Sequence, residues 1–160
     1  MKLISIDPGY ERVGIAVLEK TTGGKETLLY SDCFKTSAKI PFAERLVLIG
    51  NEIERVVKKY KPTVLAIEKL YFAKNTTTAM GVAEARGVII YHAAKYDCTV
   101  YEYTPMEIKV AVTGYGKASK DNITFMTQKL IDIPKNKKMI DDELDAIAIG
   151  LTCFACEKLK

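Results

Sequence analysis

The sequence predicts an α/β fold: one five-stranded mixed sheet, an antiparallel meander and then parallel strands, with helices on both faces. Three observations predict it. Three strand-like runs open the chain, joined only by tight turns. Helical and strand-like patterns then alternate, and the last part is helical. The 160 residues, 48% apolar and 28% charged, have the length and composition of one globular domain. A meander followed by alternating units closes most simply as a mixed sheet covered on both sides.

Lys2-Leu3-Ile4-Ser5-Ile6 forms the first strand, stopped by Asp7-Pro8-Gly9. Val13 to Leu18 is the second, and Thr21-Thr22-Gly23-Gly24-Lys25 supplies hairpin turn chemistry before a third from Thr27 to Phe34. Pro41 opens a helix whose Leu46, Ile49, Ile53 and Val56-Val57 recur at three- and four-residue spacing until Pro62. Thr63 to Ile67 is a short apolar strand ending at Glu68. A long helix rich in small residues spans Thr76 to Tyr96, and Cys98 to Tyr103 is the fifth strand. A helix near Glu107–Val112 leads to the loop Gly114-Tyr115-Gly116-Lys117. Helices over Lys120–Ile131 and from Asp141 to about Glu157 complete the chain, separated by the basic loop Pro134–Lys138. No repeat, linker or low-complexity tract divides it, so residues 1–160 read as a single domain.

No apolar run approaches the roughly 18 residues of a spanning helix, and no signal peptide precedes the first strand. A cytoplasmic protein without a membrane anchor is expected. Cys33, Cys98, Cys153 and Cys156 then read as reduced thiols. Cys153-x-x-Cys156 lacks the further ligands of a zinc site and reads as two small buried or half-buried residues. The net charge of +4 permits an anionic partner without requiring one.

Asp7 and Glu68 each follow a buried strand directly. A carboxylate there is costly unless it meets solvent, a cation or hydrogen-bond donors. Two of them suggest neighbouring strand ends with a shared acidic site, although Asp-Pro-Gly is also a common turn. The third element is Asp141-Asp142-Glu143-Leu144-Asp145. Acids at a helix start suit the dipole, so Asp141 or Asp142 can serve only as a cap. Asp145 shares a face with either. Clustered carboxylates repel unless a hard cation binds them, and Mg²⁺ accepts such oxygens together with phosphate. Two such ions activate water and stabilise the leaving oxygen of a phosphodiester.

Four blocks in the same order resemble the RuvC family, the bacterial Holliday-junction resolvases. They are Ile4-Ser5-Ile6-Asp7-Pro8-Gly9, Ala66 to Asn75, Ala85-Arg86-Gly87-Val88 and Asp142-Glu143-Leu144-Asp145-Ala146-Ile147-Ala148. The likeness runs from residue 3 to about 154, and the Ala66–Asn75 block is its most specific part. It implies a ribonuclease H-like fold, a homodimer, and symmetric cleavage of four-way DNA junctions with two Mg²⁺ ions per site, Mn²⁺ substituting. It implies Asp7, Glu68, Asp142 and Asp145 as the metal-binding catalytic carboxylates, which leaves Asp141 as a cap. Some members carry histidine at the last position, where this chain has Asp145. The one histidine, His92, lies mid-helix and reads as packed or solvated.

Lys117 to Lys138 holds six lysines and two aspartates. Lysines of this kind neutralise phosphates and carry little sequence information. Lys129 reads as a solvated helix face. Lys109, Lys117 and Lys120 flank the glycine loop and resemble DNA-contacting positions of the family, as do Lys74, Asn75 and Arg86 in its quoted blocks. The loop is no P-loop, because Ala111 stands at its first glycine position. Tyr71 takes the place of an aromatic that stacks at the junction centre, with core packing as the other reading, and Phe72 reads as an anchor. Ala79, Ala83 and Gly87 form a row of small residues that permits close helix approach, either to a second subunit or to the chain's own sheet. A branch-migration helicase complex is a further partner of such a family. Three rivals remain: a nuclease for another branched nucleic acid, an actin-like ATPase lobe lacking its second lobe, and a non-catalytic DNA-binding module of the same fold.

Overall fold

The computed structural model describes residues 1–21, 23–70, 76–133 and 138–157. Strands β1 (Lys2–Asp7), β2 (Arg12–Lys20) and β3 (Glu26–Lys35) form the meander. Helix α1 (Phe42–Tyr60), β4 (Val64–Glu68), α2 (Thr76–Lys95) and β5 (Thr99–Tyr103) alternate after it. Helices α3 (Pro105–Thr113), α4 (Lys120–Leu130) and α5 (Asp141–Cys156) follow.

The sheet order is β3-β2-β1-β4-β5. β1 is central and pairs antiparallel with β2 and parallel with β4. Its residues are therefore buried on both faces. Leu3 joins Leu18, Ala66, Ile147 and Phe154 in the core beneath α5, α3 and α4. Ile4 and Ile6 join Ile15, Ile53, Leu65, Ile67 and Ile89 beneath α1 and α2. Both faces of the sheet are thus dry, as the run of apolar residues in β1 requires.

α5 lies close on the sheet because its sequence is small there. A Cβ on Gly150 would stand 2.8 Å from the Ser5 hydroxyl oxygen and 2.8 Å from a methyl of Leu18. Gly14 does the same at the other end of the contact. A Cβ on it would stand 2.1 Å from the backbone oxygen of Asp142. Glycine inside a strand commonly marks such a close backbone approach.

Three expectations are corrected. α3 begins at Pro105, two residues earlier than expected, because Thr104 caps it. The Thr104 hydroxyl accepts from the Glu107 amide, and the Glu107 carboxylate accepts from the Thr104 amide at 2.7 Å. Asp141 is not the cap of α5. Ile140 holds that position, and Asp141 is the first helical residue, pointing at Lys120. Glu143 reaches back one turn instead and accepts from the Ile140 amide at 3.2 Å. The cysteines are free thiols, with Cys33, Cys98 and Cys153 buried, but Cys156 is exposed rather than half-buried.

Candidate active site

Strand alternation places the first two carboxylates. Leu3 of β1 and Val64 and Ala66 of β4 face the α5 side, so Asp7 and Glu68 face it too. The parallel register pairs Ile6 with Ile67, which brings the two acids to neighbouring strand ends. Across β1 and β2, Asp7 pairs with Gly14, and the start of α5 rests on that glycine. Asp142 and Asp145, one helical turn apart, therefore arrive over the same strand ends. β1 is also the switch point of the sheet, where open α/β sheets place their ligands.

The electrostatics follow from this crowding. Burial pushes the Asp7 carboxyl up to about 7, reinforced by the charges of Glu68, Asp145 and Asp142 and opposed by Lys120. Burial and then Asp145 raise Glu68 as well. Asp145 is raised chiefly by burial, although Lys120 pulls it down. These groups resist sharing negative charge in the absence of a cation.

Protein cations partly supply that charge. The Arg12 guanidinium grips Asp142 as a fork, Nε donating to one oxygen at 3.1 Å and Nη2 to the other. The Lys120 ammonium stands 3.2 Å from Asp145 and 3.4 Å from Asp141. Two clefts flank Glu68. One of about 220 Å³ is lined by Lys109, Lys120 and Asp145 with apolar Ile108, Ile123 and Ile149. The other, about 260 Å³, is lined by Asp7, Pro8, Lys69 and Leu70.

An all-oxygen set of this kind suits a hard divalent ion. Among the described residues, no three of the acids already converge on one point with ligating geometry. The donor chemistry fits a metal. The arrangement is one in which Arg12 and Lys120 draw two of the four carboxylates to themselves.

The structure brings Asp7, Glu68, Asp142, Asp145, Lys109 and Lys120 together. Lys117 is exposed on the loop before α4. Arg86 is largely covered. Its Nε donates to the Glu68 carbonyl at 3.2 Å and its Nη2 to the Glu102 carboxylate, so it braces the strand end that carries Glu68. Tyr71, Phe72, Lys74 and Asn75 lie outside the described residues. His92 packs against Glu54, its Nδ1 3.4 Å from the carboxylate, away from the acids. Lys129 lies over the Phe125 ring on a solvated face.

Sequence reasoning missed three contributors. Arg12 carried no local signal. Gly14, a glycine inside a strand pattern, did. Glu143 reads as one more acid of a charged helix start, yet it is buried and accepts from the Ser31 hydroxyl at 2.9 Å, tying α5 to β3.

The family model for RuvC, crossover junction endodeoxyribonuclease, matches residues 3–153. The chain belongs to the RuvC family. The RuvC of Desulfitobacterium hafniense is 41% identical over 155 residues, 97% of this chain and 92% of that protein. The RuvC of Thermosipho melanesiensis is 40% identical over 157 residues, 98% of both. A solved structure of Thermus thermophilus RuvC in complex with Holliday junction substrate superposes with a TM-score of 0.88 at 29% identity. It covers 97% of this chain and 93% of that one. The yeast mitochondrial Holliday junction resolvase Ydc2 shares the fold alone, with a TM-score of 0.68 at 10% identity. The fold is the ribonuclease H-like architecture, and the chain is an enzyme of the endodeoxyribonuclease class.

Proposed function

We propose that the protein resolves four-way DNA junctions by symmetric, metal-dependent phosphodiester hydrolysis. The observation that carries this reading is the meeting of Asp7, Glu68, Asp142 and Asp145 at the ends of the central strands β1 and β4, on a chain of this family. Asp7 and Glu68 come from rigid strand ends and Asp142 and Asp145 from one helix turn, so the donors rest on a rigid scaffold. Asp7, Glu68, Asp142 and Asp145 would hold two Mg²⁺ ions, for which Mn²⁺ substitutes, and the ions when bound would supply a nucleophile from water and stabilise the leaving oxygen. Lys120 and Lys109, on the cleft wall, are positioned to meet the phosphate, and Lys117 a more distant one. Arg86 keeps Glu68 in place. Tyr71 stacks on a base at the opened crossover, and Lys74 and Asn75 contact the same DNA.

Symmetric cleavage needs two sites, and the protein acts as a homodimer. Support for the surface comes from α2. Ala85, Ile89 and Ala93 bury one side of that helix, while Met80 and Tyr91 on the other side are 69% and 63% exposed. Gly87 lies between them, and a Cβ on it would meet nothing within 4 Å. Residues 1–160 act as one nuclease domain in the cytoplasm, with a branch-migration helicase complex as a further partner. No helix among the described residues is long and apolar enough to cross a membrane.

The test is incubation of the purified protein with a synthetic four-way junction and with linear duplex, with and without Mg²⁺. Paired symmetric nicks in the junction, dependent on Mg²⁺, are expected. Equal cutting of linear duplex, or junction cutting in a chelator, would overturn the reading.

A further inference from the structure

Arg12 has no part in the reading above, yet it holds one of the four carboxylates. Its position follows from the meander. β1 stops pairing at Asp7 opposite Gly14, so Arg12, two residues nearer the start of β2, overhangs the end of β1. α5 begins over Gly14, and the guanidinium meets Asp142 there. The fork takes both Asp142 oxygens. The two partners differ in exposure. The Arg12 side chain is 50% exposed and that of Asp142 only 18%.

We propose that Arg12 is a latch on the metal site, closed on Asp142 in the free protein and drawn off by a DNA phosphate when the junction is seated. The inference rests on the metal-dependent reading given above. Two points carry it. A guanidinium fork matches a phosphate as well as a carboxylate, so an arriving phosphate offers Arg12 an equivalent partner. Half of the Arg12 side chain faces solvent, so an arriving phosphate can reach the guanidinium without entering the core. Released, Asp142 would be free to hold the metal with the other carboxylates. Metal loading is thereby coupled to substrate, and the charge that Arg12 withdraws from the acids is replaced by the ion.

A latch and a prop make opposite predictions. If Arg12 only steadied Asp142 for the metal, its removal would weaken metal binding. If it competes, removal strengthens it. A latch closed nine-tenths of the time weakens the apparent metal affinity by about tenfold.

Mn²⁺ binding to the full chain is measured without DNA, by electron paramagnetic resonance or calorimetry, for the parent protein, Arg12→Gln, Arg12→Lys and Asp142→Asn. Thermal unfolding of each variant accompanies it. Arg12→Gln should bind Mn²⁺ about 3- to 10-fold more tightly. Arg12→Lys, with a charge but no fork, should fall between it and the parent. Junction binding in a chelator should lose roughly one unit of salt slope in Arg12→Gln, for one phosphate contact. Unchanged or weaker Mn²⁺ binding by Arg12→Gln would overturn the latch, and an unchanged salt slope would overturn its release by phosphate. Mn²⁺ binding by Asp142→Asn equal to the parent's would instead overturn the assignment of Asp142 as a ligand.

Discussion

Asp7 combines a site's requirement with a stability cost. Its carboxyl is pushed up to about 7 by burial and by three neighbouring acids. The folded protein therefore keeps a proton that the unfolded chain releases near its ordinary value of 3.8. The stability tied to that proton is complete below that value and is lost as the pH rises through about 7. In a chelator, urea unfolding should show a loss on the order of 2–4 kcal/mol between pH 4 and pH 8. Asp7→Asn should flatten this loss, be more stable than the parent at pH 8, and cleave no junction. A variant less stable than the parent at pH 8 would contradict the charge-crowding account. The neighbouring acids of α5 divide in the same way. Asp142→Asn should lose cleavage. Asp141→Asn, exposed and outside the cap, should keep it with a stability change within about 0.5 kcal/mol. Glu143→Ala, which removes the acceptor of the Ile140 amide and the carboxylate that ties α5 to β3, should cost about 1–2 kcal/mol in the same unfolding assay.

Elements matter here through their distances of approach. α5 meets β2 at Gly14 with its backbone against the glycine, so a methyl at that place has nowhere to go. Gly14→Ala should push the start of α5 outward by about 1 Å and carry Asp142 away from Asp7, lowering kcat on the order of 100-fold. Stability should fall by about 1–3 kcal/mol from overpacking. Junction affinity in a chelator, set by the lysines, should change little. Full activity of Gly14→Ala would show that α5 tolerates the displacement. α2 offers the opposite case, a glycine with open space over it. Gly87→Glu should leave the monomer folded, because glutamate is the better helix former by roughly 0.5–1 kcal/mol. It should weaken self-association by about tenfold or more, read by analytical ultracentrifugation. An unaltered dimer would move the interface off this face of α2.

Across the whole molecule, charge is segregated rather than merely positive. The net charge is +4, yet the ends of β1 and β4 and the start of α5 form a cluster of carboxylates. Lys109 and Lys120 on the cleft wall set the opposite sign beside that cluster, and Lys117 is exposed on the loop before α4. On the proposed function, DNA is drawn in by the lysines and repelled by the carboxylates until a cation is present. Lys109→Ala and Lys117→Ala should each flatten the salt dependence of binding by roughly 0.9 in slope, on junction and linear duplex alike. Junction-specific loss in either variant would mean that the lysine reads shape and not phosphate.

The order and boundaries of the elements were legible in the sequence because they depend on near neighbours: period 2 in the strands, three- and four-residue spacing in α1, glycine and proline at the breaks. The strand-end acids were legible too, since Asp7 and Glu68 each close an apolar run. Parity along β1 and β4 already puts them on one face once the strands pair. The tertiary structure decided what distant residues do to one another. Arg12 and Asp142 are 130 positions apart, and Ser31 and Glu143 are 112 apart. Such pairs are set by strand register and by where α5 lands on Gly14, which no local pattern encodes. So the sequence alone named the acids and, by resemblance, their family, while the fold gave the cap position to Ile140 instead of Asp141, with Glu143 reaching back to it, turned Arg86 inward as a brace, and set Arg12 on Asp142.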